Sequence, residues 1–178
     1  MDLKKFKIMS IIGTFLLAFL THFLYNWFPN SLFSIFFPVN ESIWEHMKLL
    51  FTTILLYEII EFILFKRKNI EVNNFLFASF IGAILSIPIY LIIFLPIYYK
   101  MGENMVITLI IMLITIFIIQ TIKYKIFRAK ELQFTVLAIV SIIIAYICFG
   151  LLTYYPPEYD LFFDTEEEKY GINKYLVY

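Results

Sequence analysis

The sequence has few of the charged residues that a soluble protein carries on its surface. Only 16% of its 178 residues are charged and 62% are hydrophobic, whereas about 25% of an average soluble domain is charged. A small soluble fold must cover its core with polar side chains, and this composition supplies too few of them. The composition therefore excludes an ordinary soluble enzyme and predicts a protein that lies mostly in lipid.

The sequence also has only one cysteine and no formal net charge. The single cysteine, Cys148, excludes an intramolecular disulfide, and no CxxC, CxxCH or HExxH motif indicates an ordinary zinc or haem site. Lysine plus arginine and aspartate plus glutamate number 14 each, so the formal net charge is zero. Proteins that bind nucleic acid concentrate positive charge, so nucleic acid is not an expected partner.

Five apolar runs are long enough to cross a bilayer as helices. A hydrocarbon core of about 30 Å takes about 20 apolar residues in an α-helix. The sequence therefore predicts an all-α integral membrane protein with five transmembrane helices. The predicted spans are residues 8–28, 42–65, 75–99, 105–122 and 132–155. The fourth run is almost purely Ile, Leu, Met and Phe until Gln120, which predicts a peripheral, lipid-facing helix.

Lysine and arginine concentrate on one side of the predicted membrane, and short loops rich in these residues remain cytoplasmic. The bias places the N-terminus inside and, after five spans, the C-terminus outside. Three groups of cations produce this bias. They are Lys4, Lys5 and Lys7 before the first span; Lys66, Arg67 and Lys68 between the second and third spans; and Lys123, Lys125, Arg128 and Lys130 between the fourth and fifth.

Two segments outside the spans are rich in aromatic residues. Residues 29–41 are too short to cross and contain Pro29 and Pro38, so we expect an interfacial or re-entrant loop. Residues 156–178 mix acidic residues with Tyr and Phe, which favour the headgroup region of a membrane. We expect this external tail to fold back over the outer face.

The densest polar group is VNESIWEHMKLL, residues 39–50, at the start of the second span. Part of it has a structural explanation. Ser42 and Glu45 fit a capping box, and Glu45 and Lys48 can pair one helical turn apart. The other interpretation is a ligand-binding surface, whose candidate residues are Asn40, Glu41, Trp44, Glu45 and Lys48.

His22 and His46 are the two histidines of the sequence. Their distances from the ends of their spans differ by two residues, which corresponds to a depth difference of about 3 Å. Neighbouring spans joined by a short loop usually pack together. With Glu45 or Glu41 as the carboxylate, and Glu45 as the preferred one, the two imidazoles form a candidate site for a transition metal, or they could hold a haem iron axially. The alternative is two unconnected histidines, each hydrogen-bonded locally.

A second polar group, Glu58 and Glu61, lies deeper in the second span. Glu61 can extend to Lys66 or Lys123. Glu58 is nearer the bilayer centre, where an isolated carboxylate is costly, so we expect a partner among Gln120, Thr121 and Lys123. The two glutamates are candidates either for interhelical hydrogen bonds or for a proton relay.

The stretch VNESIWEHMKLLF, together with THFLYNW, YPPEYDLFFD and YGI, resembles a family of small uncharacterised bacterial membrane proteins. These proteins carry a Val-Asn-Glu-Ser-x-Trp-Glu-His-x-Lys core, and the resemblance covers essentially the whole chain. It implies a multi-pass protein of the bacterial inner membrane. It implies no particular activity.

Three classes of function therefore stay open. The first is a binding or transport-accessory protein whose site between the first two spans holds a metal, haem or a small polar ligand. The second is an intramembrane enzyme that uses a His/Glu metal site, or a Glu base, on a lipid or peptide. The third is a structural membrane subunit. The expected partners are membrane lipids and either another membrane protein or a second copy of the chain.

Overall fold

The computed structural model describes residues 3–102 and 104–172, and residues 173–178 of the predicted tail lie outside the described residues. Apart from one short hairpin, the described chain is all-α, as predicted. Its helices are α1 (Leu3–Trp27), α2 (Ser31–Phe36), α3 (Ile43–Arg67), α4 (Phe75–Met101), α5 (Met105–Ile126) and α6 (Thr135–Tyr154).

Helices α1, α3, α4 and α5 form a closed ring. Both α1 and α4 pack against α3 and α5, while α6 lies outside the ring against α4 and α2. The prediction that the 105–122 segment is peripheral is wrong. Thr115, Gln120 and Lys123, polar residues of α5, are fully buried inside the ring, whereas α6 buries only three of its residues. Because hydropathy is averaged along the helix, it does not show that the few polar residues of α5 lie on one face.

Side-chain caps fix where two of the helices begin. The Asn30 carboxamide oxygen accepts hydrogen bonds from the amides of Leu32 and Phe33, both at 3.0 Å, which starts α2 inside the predicted 29–41 loop. The Ser42 hydroxyl accepts the Glu45 amide at 3.4 Å and starts α3. The predicted capping box is half formed, because the Ser42 amide donates to Asn40 instead of Glu45.

Within the described residues, four helices are long and apolar enough to cross a membrane: α1, α4, α5 and α6. Helix α3 has the length but carries Glu45, Lys48, Glu58 and Glu61, which lower its hydropathy. All four charged side chains are buried, with at most 4% of any residue exposed. These four charges therefore face the protein interior, whereas Lys66 and Arg67 at the end of α3 are exposed.

Residues 156–172 pack over the end of the bundle where α3 begins. They contain a 3-10 helix, Asp160–Phe162, and an antiparallel hairpin of β1 (Phe163–Asp164) and β2 (Lys169–Tyr170). The Asn40 carboxamide donates to the Gly171 carbonyl at 3.0 Å, and the Ile172 amide donates to the Thr153 carbonyl at 3.1 Å. These bonds attach the segment both to the α2–α3 loop and to α6.

Candidate functional site

Three potential metal ligands meet where α1 ends and α3 begins. His22 on α1, Glu41 in the α2–α3 loop and His46 on α3 each present a ligand atom, and these atoms all lie within 4.8 Å of one another. The Glu41 Oε2 is 3.4 Å from His22 Nε2 and 3.5 Å from His46 Nε2. We call these three residues the triad.

Glu41 and His46 of the triad are each held by a further contact. The amide of Glu41 donates to a carboxylate oxygen of Asp164 at 3.0 Å, which fixes the loop beneath the hairpin. His46 Nδ1 lies 3.0 Å from the Ser42 carbonyl oxygen, which can only accept, so this nitrogen carries the hydrogen. That tautomer leaves the lone pair of neutral His46 on Nε2, the atom that faces Glu41. Metal-binding histidines commonly have this second hydrogen bond.

The triad is half-buried, and its electrostatics favour an ionised carboxylate. Side chains of His22, His46 and Glu41 are 22%, 19% and 32% exposed. The hydrogen-bonding interaction with His22 lowers the pKa of the Glu41 carboxyl, burial opposes this, and the charge of His46 lowers it further. The site thus has a carboxylate ready to act as a metal ligand.

A cavity of about 290 Å³ adjoins the triad. Its wall includes all three triad residues, apolar side chains of α1 and α5 such as Phe19 and Met112, and Glu166 from the tail. A ligand bound to the triad would therefore have apolar space on one side.

Glu45 does not join the histidines, so the prediction of Glu45 as the carboxylate of the metal site is wrong. Its Oε2 is 2.5 Å from Lys48 Nζ, and its Oε1 accepts the Thr153 hydroxyl at 3.0 Å. Lys48 Nζ also donates to Thr153 and to the Ser34 carbonyl, at 2.9 and 2.8 Å. This buried pair ties α3 to α6 and α2, and Glu41 takes the place beside the imidazoles.

Two other predicted ligand-binding residues also lie away from the triad. Asn40 uses both ends of its carboxamide to hold Gly171 and the Ser42 amide. Trp44 packs against Phe149 and Phe162, with ring centroids 5.3 and 4.9 Å away. Of the five residues named as candidates from the motif, only Glu41 lies at the triad.

Glu58 and Glu61 meet Lys123 of α5 inside the ring. Lys123 Nζ is 2.6 Å from Glu61 Oε2 and also contacts Glu58 Oε1. The structure thus brings Glu58 to one of its three expected partners, whereas Gln120 bonds Thr14 instead. Lys123 was counted with the loop cations, but it lies in α5 and is fully buried. The other loop cations keep the same bias.

Residues from all four helices of the ring complete this group, which we call the Lys123 cluster. Ser79 of α4 donates to Glu58 Oε2 at 3.0 Å, and Tyr124 of α5 donates to Glu61 Oε1 at 2.5 Å. Ser10 of α1 also donates to Glu61. Sequence reasoning missed Ser10, Ser79 and Tyr124, because isolated hydroxyl residues in apolar helices give no signal of a shared site.

Asp164 was missed as well. It is fully buried in the hairpin, where one oxygen holds the Glu41 amide and the other accepts the amides of Glu166 and Glu167 at 2.8 and 3.1 Å. Among the several acids of the tail, composition did not distinguish this one. It is a positioning residue for the triad.

Residues 1–172 match a family model whose description is a family of unknown function, DUF6512. The chain belongs to this family. The match confirms that the protein is one of a family without an established function, over nearly its whole length. Searches of curated proteins and of solved structures gave no significant match. Its chemistry must therefore be argued from the residues themselves.

Proposed function

We propose that this DUF6512 protein is a multi-pass membrane protein that binds one divalent transition metal ion at His22, Glu41 and His46. The observation that carries the proposal is the convergence of two imidazoles and one carboxylate, with all ligand atoms within 4.8 Å. Helix α1 supplies one of these groups, and the α2–α3 loop and the start of α3 supply the other two. A binding or transport-accessory role is the simplest function for such a site.

The donor set favours a compact ion. Imidazole suits zinc, iron, copper and nickel, and a carboxylate is a further ligand for such ions. Haem held between two axial histidines needs its porphyrin plane between the two Nε2 atoms. Here the Glu41 carboxylate contacts both Nε2 atoms, at 3.4 and 3.5 Å, and occupies that place. The geometry therefore supports a metal ion over haem.

The membrane arrangement that we propose has five spans: α3 in addition to the four helices that qualify by composition. Supporting it, Glu45, Lys48, Glu58 and Glu61 of α3 are buried in the bundle. Large apolar side chains such as Ile92 and Val136 are more than 70% exposed, as expected of a lipid-facing surface. In this arrangement the loop cations lie in the cytoplasm with the N-terminus, and the triad lies near the outer surface of a bacterial inner membrane.

Metal binding can be tested directly on protein purified in detergent and stripped with a chelator. Equilibrium dialysis against zinc, followed by elemental analysis, should give one tightly bound zinc per chain. Loss of an outer-shell partner typically weakens metal binding about 10- to 100-fold. His22→Ala and His46→Ala each remove a direct ligand, so each should weaken zinc binding by more than this. The control is Glu158→Gln, which removes an exposed acid of the tail and should leave zinc binding unchanged.

Two results would contradict the proposal. One is the absence of tight zinc binding to the parent protein, with the same result for cobalt, nickel and copper. The other is equal binding by the parent and by the His22→Ala, His46→Ala double variant. Either result would leave the triad as a Glu–His ion-pair network that stabilises the junction of α1 and α3.

A second candidate is a metal-dependent enzyme acting on a lipid or peptide. The observation that favours it is the apolar cavity that shares its wall with the three ligands. Three protein ligands leave coordination positions open, and catalytic metal sites keep such a position for water or substrate. This candidate requires that the zinc-loaded protein hydrolyse a membrane ester or amide and that His46→Ala abolish the activity.

A further inference from the structure

The Lys123 cluster contains more acidic than basic groups. Glu58 and Glu61 both pair with Lys123, so these three side chains together carry one excess negative charge when all of them are ionised. All three residues are buried, with Glu58 the most exposed at 4%. A net charge inside a helical bundle is costly unless a proton or another cation compensates it.

The cluster borders a large cavity. This cavity has a volume of about 610 Å³ and lies between α3, α4 and α6. Glu58 and Ser79, which share a 3.0 Å hydrogen bond, both line it. The buried excess charge is therefore adjacent to a space the size of typical ligand pockets, which hold about 300 to 1,000 Å³.

The lining of the cavity is acidic and aromatic. Glu131 lies at its rim on the α5–α6 connection, and no lysine or arginine is among its described lining residues. Most of the remaining wall is hydrocarbon, and four phenylalanines contribute to it: Phe62, Phe75, Phe77 and Phe134. Aromatic faces and carboxylates both attract cations, while the volume is far larger than a bare metal ion needs.

We infer that this cavity is a binding site for an organic monocation with an apolar body, whose positive charge is held beside Glu58 and Glu131. The cation offsets the excess negative charge of the Lys123 cluster, and its apolar part fills the space between α3 and α6. This site is separate from the triad and does not depend on metal binding.

Two probe ions of the same shape and opposite charge test this site. Tetraphenylphosphonium and tetraphenylborate are each dialysed against the full-length protein in detergent, with protein-free micelles as the blank. We expect saturable binding of one tetraphenylphosphonium per chain and no saturable binding of tetraphenylborate. His22→Ala should bind the cation like the parent, which distinguishes failure of this site from failure of the metal site.

Variants of the acidic residues locate the bound cation. Glu58→Gln should weaken tetraphenylphosphonium binding at least tenfold, and Glu131→Gln should weaken it several-fold. Glu71→Gln, an acid on the α3–α4 connection that does not line this cavity, is the matched control and should change nothing. If Glu58→Gln does not fold, Thr135→Trp at the exposed start of α6 fills the cavity instead and should abolish binding.

The inference is wrong if tetraphenylphosphonium does not saturate, or if tetraphenylborate binds equally well. Equal losses in the Glu131→Gln and Glu71→Gln variants would also overturn it, because the effect would then come from general surface charge. A cavity that holds only the acyl chain of a neutral lipid would give the first of these results.

Discussion

The imidazole rings of His22 and His46 lie with their centroids 5.6 Å apart, and the Glu41 carboxylate contacts both rings. One ring belongs to the last turns of α1 and the other to the first turns of α3. The antiparallel packing of these helices therefore creates the site. Any metal bound there would join the two helices and the loop between them.

Cysteines in place of the two histidines should crosslink. In a Cys148→Ala background, the His22→Cys, His46→Cys pair should react with a short bifunctional thiol reagent, because the two side chains face each other between packed helices. The control pair combines His46→Cys with Leu20→Cys, which lies on an exposed face of α1. Equal crosslinking of both pairs, or none of the histidine pair, would contradict this geometry.

Reporter fusions test the five-span arrangement. A fluorescent protein that matures only in the cytoplasm should be dark when fused after Tyr178. The same protein inserted after Lys130, between α5 and α6, should fluoresce. A bright fusion at Tyr178 would show that the number of spans is even, with α3 the first helix to reconsider because four charged residues lie within its apolar stretch.

The buried pair of Glu45 and Lys48 should show strong coupling in a double-mutant cycle. Lys48→Met alone leaves a buried carboxylate without its cation, which typically costs about 3 to 5 kcal/mol. The Glu45→Gln, Lys48→Met double variant removes both charges and should lose less than the sum of the single losses. Unfolding in detergent measures the differences.

The hairpin offers the control for that cycle. Lys169 and Glu167 form an ion pair whose side chains are 28% and 59% exposed. Lys169→Met should therefore cost less than about 1 kcal/mol. Additive losses at Glu45 and Lys48 would mean that water reaches the pair and that the packing of α6 against α3 is looser than described.

Gly13 should be intolerant of a side chain. A methyl group there would lie 2.6 Å from the hydroxyl oxygen of Tyr57, whose side chain is buried and donates to the Met9 carbonyl at 3.1 Å. Gly13→Ala should thus lower stability by about 1 to 3 kcal/mol. At Gly150 the added carbon would be 3.5 Å from Ile35, an ordinary contact, so Gly150→Ala should be nearly neutral. A neutral Gly13→Ala would contradict the close packing of α1 on α3.

The sequence predicted the helical class and the proximity of the two histidines, because both follow from hydrophobic run lengths and from the constant rise of a helix. It did not distinguish Glu41 from Glu45. On a continuous helix Glu45 lies nearer His46, but α3 begins only at Ile43, and the preceding loop turns Glu41 toward the imidazoles. Asp164, from the distant hairpin, holds that loop, and no local pattern links the two residues.

Sequence composition also could not predict that Lys123 is buried. It follows an apolar run and precedes other cations, so it looks like a loop residue, although α5 continues to Ile126. Its position is determined by two carboxylates on another helix. Long-range pairing of charges across a bundle is a tertiary property, which hydropathy and charge counts along one chain do not record.

The most direct test of the proposed metal site is the X-ray absorption spectrum of protein loaded with one equivalent of zinc. Imidazole rings give characteristic outer-shell scattering, so the spectrum counts the histidines bound to the metal. We expect two imidazoles and oxygen ligands in the parent protein, and one imidazole in a zinc-loaded His46→Ala variant. A spectrum without imidazole, or one unchanged by His46→Ala, would contradict the site formed by His22, Glu41 and His46.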